Sequence, residues 1–175
     1  MDTASVSGPR QYLTFMLEDE VFALEISQVK EILDLTYITK VPRMPEFMRG
    51  VINLRGNVVP VLDLRLKLGL SEKDNSKDTC IIIVEVAHEG AQTVIGALAD
   101  SVREVICLEP AQIEPPPRVG MTVDATIIKG MGKLDQEFVI ILDSGRVFTA
   151  EKIEATHVMQ EALQHGPGEV AVLSV

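Results

Sequence analysis

The residues that could support catalysis are few, and two aspartates form the strongest pair among them. Asp63 and Asp143 each end a run of aliphatic residues. Two carboxylates in one cleft can act as a general acid and a general base. A carboxylate at a strand end can also accept hydrogen bonds from the first backbone N–H groups of a following helix. Nothing in the sequence brings the two aspartates into one cleft, so we favour the capping role and predict no catalytic residue.

Motifs for binding nucleotides or metals are incomplete. Gly132-Lys133 would close a phosphate-binding loop only if Ser or Thr followed it, but Leu134 follows, and Ile127 stands where the first glycine belongs. A structural metal site needs closely spaced Cys or His ligands. No such spacing occurs among the histidines and cysteines, which are His88, His157, His165, Cys80 and Cys107. We therefore predict no metal and no cofactor, and a protein that is not an enzyme.

The two cysteines both lie in apolar runs. Cys80 opens the run 80–84, and Cys107 follows the aliphatic pair Val105-Ile106. A free thiol in such a run usually behaves as a small buried hydrophobe. We predict two buried free thiols, and a disulfide stays open because the sequence does not give the distance between their Cα atoms.

The composition predicts an aliphatic core and argues against several partners. Hydrophobic residues make up 46% of the chain but aromatic residues only 4%, so β-branched and other aliphatic side chains must fill the core. The formal net charge of −10 repels phosphate backbones and anionic lipid surfaces, so nucleic acid is not an expected partner. The apolar runs are far shorter than the ~20 residues that span a bilayer, which predicts no direct membrane insertion. Residues 1–10 contain no apolar signal segment, which predicts a cytoplasmic protein.

Alternating apolar runs separated by short polar turns predict hairpins along the chain. These runs cover residues 11–26, 51–64, 79–98 and 126–142. Periodicity alone leaves a helix open for residues 24–35. The remaining segments are predicted to be a disordered leader at 1–10, a polar loop at 71–78, a C-terminal helix at 151–165 and a tail at 166–175.

An internal repeat sets the predicted architecture. Residues 29–33 (VKEIL) match 102–106 (VREVI), and each block follows a predicted hairpin. Further along, 54–56 and 59–63 match 130–132 and 139–143 in the same order. The repeat predicts a mainly β fold of two pseudo-equivalent, five-stranded, SH3-like barrels that share a core, with a few short helices. The first barrel is placed at about 11–70 and the second at about 78–150, within one domain at 11–155.

Glu31 and Arg55 are the charged residues whose positions are least ordinary. Glu31 lies in an otherwise apolar run, and Arg55 lies between Leu54 and Gly56 at a hairpin turn. If their strands adjoin at the barrel junction, an ion pair between them would fix the orientation of those strands. Two separately solvated side chains remain the alternative.

The segment 45–65 (PEFMRGVINLRGNVVPVLDLR) resembles the CheW family of bacterial chemotaxis coupling proteins. Further matches are residues 22–24, 29–32, 95–98 with Asp100, and 127–132, so that the resemblance extends from about Tyr12 to Ile153. It implies two small β-barrels and a scaffold that links the cytoplasmic tips of chemoreceptors to the regulatory domain of a histidine autokinase. Two departures from the family pattern are Ser101 and the triplet Ser144-Gly145-Arg146.

The resemblance also implies which residues meet partners. On the first barrel it points to the strand with Val29 and Glu31, to Gly50, and to Arg55, which the family pairs with the glutamate. On the second barrel the implied contact surface lies around Val102 and Val105. A CheW-like adaptor of a different signalling array and a small-molecule-binding double barrel are the alternatives.

Overall fold

The computed structural model describes residues 8–71, 74–88, 90–116 and 125–148. Most of the leader predicted at 1–10, the helix predicted at 151–165 and the tail at 166–175 lie outside these residues. The strands are β1 (Arg10–Leu17), β2 (Glu20–Glu25), β3 (Val29–Asp34), β4 (Met48–Leu54), β5 (Asn57–Asp63), β6 (Cys80–His88), β7 (Ala91–Ala99), β8 (Ser101–Leu108), β9 (Ile113–Glu114), β10 (Ile128–Leu134) and β11 (Glu137–Leu142). The helices are α1 (Leu64–Lys67) and α2 (Ser144–Val147), with short 3₁₀ turns at Ile26–Gln28, Pro110–Gln112 and Ala125–Ile127.

The strands form two sheets, which confirms the mainly β fold with a few short helices. Sheet one has the order β3-β6-β7-β5-β4, and sheet two has the order β8-β1-β2-β11-β10-β9. The two sheets do not follow the predicted division at residues 11–70 and 78–150. The hairpin β1–β2 lies in sheet two, between β8 and β11, and the hairpin β6–β7 lies in sheet one, between β3 and β5. The first hairpin of each half of the chain therefore lies in the sheet that the other half forms.

The exchange of hairpins is symmetrical. In both sheets the hairpin from the other half of the chain pairs antiparallel with one neighbouring strand and parallel with the other. The segments that follow the two edge strands also pair in the same way. Thr39, after β3, bridges to Val51 of β4, and β9, after β8, pairs with β10. In each sheet, the chain that leaves one edge strand thus pairs with a strand at the opposite edge.

The register of the hairpins β4–β5 and β10–β11 corrects one block of the sequence repeat. Both hairpins carry a bulge at a glycine, Gly50 in one and Gly130 in the other. Counting from these bulges, the turn at Arg55-Gly56 corresponds to Asp135-Gln136 and not to residues 130–132. The sequence match had aligned two glycines that occupy different places in the hairpin.

The core has a shared centre and two flanking parts. The central cluster draws hydrophobic side chains from both sheets, and it includes Phe15 and Phe22, whose rings stack with centroids 6.2 Å apart. One smaller cluster fills the inside of sheet one around Val61 and Ile83, and another fills sheet two around Val139 and Ile141. This arrangement confirms that the two units share a core, since neither sheet alone encloses the central cluster.

The cysteine prediction was right for Cys80 and wrong for Cys107. Both thiols are free, but Cys107 is exposed while Cys80 is buried. Cys107 lies on β8, an edge strand on which only Leu108 is buried and the other side chains are half-buried or exposed. An apolar neighbourhood in the sequence therefore does not place every residue of an edge strand in the core.

The different environments predict different thiol reactivities. Burial, together with the nearby Asp34 and Asp100 carboxylates, raises the pKa of the Cys80 thiol to about 11. Because only the thiolate reacts, Cys80 should stay unmodified by DTNB at pH 8 in the folded protein, whereas Cys107 should react at once. Labelling should double when the protein is unfolded in urea. A Cys107→Ser variant that still reacts quickly in the folded state would contradict this prediction.

Candidate partner-binding faces

The first candidate face lies on the edge strand β3. We call it face one and define it by Val29, Glu31, Ile32 and Arg55. Ile32 points outward and is 44% exposed, whereas Val29 is half-buried and packs against the central core. A bulge between Val29 and Glu31 in the pairing with β6 interrupts the alternation of the strand. Because of the bulge, Val29 and Glu31 lie in different environments although they are only two residues apart in the sequence.

Arg55 and Glu31 form a two-pronged ion pair. The Nη2 atom of Arg55 donates to Oε2 of Glu31, and Nη1 lies 3.4 Å from Oε1. The hydrogen bond and the charge of Glu31 raise the pKa of Arg55. The pair crosses an open groove lined by Leu54, Val59, Ile83 and other residues of sheet one. It therefore joins β3 to the β4–β5 turn of the same sheet, and does not lie at a junction between two barrels as the sequence had suggested.

We expect the Arg55–Glu31 pair to add little to stability. The Arg55 side chain is 69% exposed and that of Glu31 is 29% exposed, so water and salt screen the attraction. Arg55→Ala should lower the free energy of unfolding only slightly, and the loss should fade as salt rises from ~0.05 to ~0.5 M. A double-mutant cycle with Glu31→Gln, followed by urea unfolding, measures the coupling. A large coupling that does not depend on salt would contradict this prediction.

Gly50 lies beneath the connection that follows β3. Its φ is +145°, and a Cβ atom built on it would lie 2.0 Å from the carbonyl oxygen of Thr39. Val51 and Thr39 exchange two backbone hydrogen bonds of 2.8 Å at this point. Only glycine allows the two backbones to approach this closely. Gly50 is buried and lies on β4, at the opposite edge of sheet one from β3, so it is not itself on the surface of face one.

The second candidate face occupies the equivalent strand of sheet two. We call it face two and define it by Val102 and Val105 on β8. Val105 is 48% exposed, and Val102 is half-buried against the central core. The buried hydroxyl of Thr14 donates to the carbonyl oxygen of Glu104 at 2.6 Å and accepts from its N–H at 3.1 Å. This clamp fills a bulge between β1 and β8 and holds the backbone between the two valines.

The groove beside face two has an ion pair of the opposite polarity. Here the arginine is on the edge strand: Nη1 of Arg103 lies 3.4 Å from Oε2 of Glu137, at the β10–β11 turn. Asp135 stands at the position of Arg55. The two faces are therefore alike in backbone but different in charge, which allows them to select different partners.

A cluster of buried charges was not predicted from the sequence. The Asp63 carboxylate is fully buried, accepts from Nη1 of Arg49 at 2.7 Å, and lies 3.5 Å from Nε of Arg65. The Arg65 side chain is 1% exposed, and its Nε lies 3.3 Å from Oδ1 of Asp100. Three of these residues fall within the segment 45–65, but polarity in a sequence does not reveal burial.

The capping role expected for Asp63 and Asp143 is seen in the structure. Asp63 accepts from the backbone N–H of Arg65 at 3.0 Å, and Asp143 from that of Arg146 at 3.3 Å. Each aspartate begins the one-turn helix that follows its strand, α1 or α2. The two belong to different sheets, since β5 lies in sheet one and β11 in sheet two.

The described ranges contain neither a cluster of metal ligands nor a helix that could span a membrane. Among these residues no three His, Cys, Asp or Glu side chains come close enough to hold a metal ion. No helix in the same ranges has the length and apolar character needed to cross a membrane.

Comparisons with known proteins all match members of one family. A family model described as a CheW-like domain matches residues 11–152. The chemotaxis protein CheW of Bacillus subtilis is 31% identical over 154 residues, covering 87% of this chain and 96% of its own. The chemotaxis protein CheW of Klebsiella aerogenes is 30% identical over 144 residues, covering 82% of this chain and 84% of its own. The crystal structure of the scaffolding protein TtCheW from Thermoanaerobacter tengcongensis superimposes with a TM-score of 0.73 at 38% identity, covering 82% of this chain and 90% of that one.

Proposed function

Because this chain belongs to the family of CheW-like proteins, we propose that it is a non-catalytic adaptor of chemotaxis signalling. It couples the cytoplasmic tip of a chemoreceptor to the regulatory domain of a histidine autokinase. It does so in the cytoplasm, at receptor arrays associated with the membrane. The partner-binding residues are Val29, Glu31, Gly50 and Arg55 at face one, and Val102 and Val105 at face two.

One observation carries the proposal: the fold repeats one edge-strand surface on two separate sheets. An adaptor has to hold two partners at once, and a pair of separate faces on one rigid core meets that need. Each of the two edge strands carries an exposed aliphatic side chain, Ile32 on β3 and Val105 on β8, together with one member of an ion pair, Glu31 or Arg103. Apolar centres with charged rims are typical of transient protein interfaces.

Gly50 contributes to partner binding indirectly in this proposal. Its side-chain position is closed by Thr39, so a partner does not touch a side chain there. Because Gly50 has no side chain, the connection between β3 and β4 can lie close to the sheet. Arg55 contributes by keeping Glu31 in place at the rim of the groove.

The test is calorimetry with the full chain and each partner fragment. We expect a helical receptor-tip fragment and a kinase regulatory domain each to bind with micromolar affinity, roughly −8 kcal/mol, which is typical of small signalling interfaces. A titration of one partner into the complex with the other should still show binding. If neither binds at ~100 μM, the adaptor assignment is wrong, and if the two compete for one surface, the bridging mechanism fails.

A further inference from the structure

Each partner-binding strand is held at its start by a side chain from the opposite sheet. Asp100 immediately precedes β8 of sheet two, and its carboxylate contacts Arg65, which lies on α1 at the end of sheet one. Gln28 immediately precedes β3 of sheet one, and its Oε1 accepts a hydrogen bond from Oγ of Ser144, which opens α2 at the end of sheet two. The two contacts occupy related places in the two halves of the fold.

The Arg65–Asp100 contact is a buried one. Arg65 Nε lies 3.3 Å from Asp100 Oδ1, and the two side chains are 1% and 11% exposed. The other carboxylate oxygen of Asp100 accepts from the N–H of Glu18 at 2.7 Å, and its own N–H donates to Met16 at 3.0 Å. Asp100 therefore joins α1 of sheet one to the β1–β2 turn of sheet two. Because a buried ion pair often adds little net stability, we infer that this one serves mainly to fix the arrangement of the two sheets.

The arginine is held by charge and not by well-formed hydrogen bonds. Among the described residues, its Nε and both Nη atoms are buried without a hydrogen-bond partner of good geometry. Its contacts with Asp63 and Asp100 are ion pairs of 3.5 and 3.3 Å. Both carboxylates keep other partners, Arg49 for Asp63 and Glu18 for Asp100. Removing the guanidinium therefore breaks the ion pair between α1 and the start of β8 without leaving either carboxylate alone.

The Ser144–Gln28 contact is neutral. Ser144 is buried and Gln28 half-buried, so the hydrogen bond is shielded from water. The sequence marked Ser144-Gly145-Arg146 as a departure from the family pattern, and Ser144 supplies the hydroxyl for this contact. The Ser144–Gln28 contact lacks the attraction between two full charges that links Arg65 to Asp100. We therefore expect the start of β3 to be held less firmly than the start of β8.

We infer that Arg65 and Ser144 are positioning residues for the partner-binding faces, each acting on the strand of the other sheet. Arg65 sets the start of β8 and so the placement of Val102 and Val105. Ser144 sets the start of β3 and so the placement of Val29 and Ile32. This inference rests on the proposed adaptor function for its consequences in binding, but the positioning itself concerns the free protein.

The first test is amide hydrogen exchange of the full chain without any partner. In Arg65→Met, amides of residues 101–105 should exchange at least about tenfold faster, while those of β3 change by less than about twofold. Ser144→Ala should give the reverse pattern, with a smaller effect, at residues 29–33. Arg146→Met and Ser27→Ala are matched controls, because they remove an exposed arginine and an exposed serine that make neither contact. Both should leave the two strands unchanged.

Some results would overturn the positioning role. Unchanged exchange at both strands would reject it, and so would an equal acceleration in every strand, which would indicate only a loss of stability. If Arg65→Met does not fold, Asp100→Asn removes the same ion pair while keeping the size of the side chain. Asn at this position should accelerate exchange at 101–105, and a wild-type pattern there would reject the inference.

The second test uses the two partner fragments. Arg65→Met should weaken the partner that depends on Val105 by about tenfold and change the other by less than about twofold, and Ser144→Ala should weaken mainly the partner that depends on Ile32. Equal losses for both partners in both variants would overturn the inference. If the unsubstituted protein binds neither fragment, the adaptor proposal fails, and the exchange experiment still decides whether Arg65 and Ser144 position the strands.

Discussion

Gly50→Val is expected to lower the free energy of unfolding by roughly 3 kcal/mol or more, or to prevent folding of the first sheet altogether. The added Cβ would lie 2.0 Å from the carbonyl oxygen of Thr39 and 2.8 Å from its carbonyl carbon, so the backbone itself would have to move. The φ of +145° adds strain for any residue with a side chain, most of all a β-branched one. Urea unfolding followed by circular dichroism measures the loss.

Two other glycines provide graded controls. Gly56 also has a positive φ, +88°, but nothing lies within 4 Å of its Cβ position, so Gly56→Ala should cost only about 1 kcal/mol of backbone strain. At Gly130 the nearest atom, 2.6 Å away, belongs to the side chain of Ile113, which can shift. We therefore expect Gly50→Ala to cost most, Gly130→Ala less and Gly56→Ala least. Equal losses at Gly50 and Gly56 would show that the contact with Thr39 is not what requires a glycine.

Ile32→Glu and Val105→Glu are each expected to weaken the binding of a different partner. Each substitution places a charge in the exposed apolar centre of one face, so each should weaken one partner by tenfold or more and leave the other almost unchanged. The side chains are 44% and 48% exposed, and neither belongs to a core cluster, so the free energy of unfolding should change by less than about 0.5 kcal/mol. Calorimetry with each partner fragment, alongside urea unfolding, measures both effects.

These exposed positions make a cleaner test than Val29. Val29→Glu would also place a charge against the central core, because Val29 is half-buried there, and a loss of binding could then follow from a loss of stability. Ser71→Glu serves as a control that adds the same charge to an exposed loop outside both faces. If Ile32→Glu and Val105→Glu weaken the same partner, or neither, the assignment of one partner to each face is wrong.

The sequence by itself determined the class of fold and the family. Strands and turns are local properties: alternating apolar residues, acidic turns and glycines such as Gly56 specify a hairpin wherever they occur. The repeat of VKEIL and VREVI indicated two related units, and the segment 45–65 indicated the family. The capping roles of Asp63 and Asp143 were also predictable, because a cap depends only on the residues that follow it.

The tertiary structure alone decided which strands lie together. A hairpin pattern does not state which strand lies beside it, so the exchange of β1–β2 and β6–β7 between the halves could not be read from periodicity. The same limit applies to Glu31 and Arg55, whose pairing the sequence left open, and to Cys107, whose exposure follows from the place of β8 at a sheet edge.

The buried charges show the limit most clearly. Arg49, Asp63, Arg65 and Asp100 look in the sequence like ordinary surface residues, but Asp63 and Arg65 are buried and the other two half-buried, which depends on how two sheets pack around them. Burial and ion pairing are properties of contacts between residues far apart in the chain, whereas composition and spacing describe only neighbours. For that reason the sequence predicted the two candidate partner-binding strands, and only the packed structure placed Arg65 against Asp100 and Ser144 against Gln28, the residues that precede those strands.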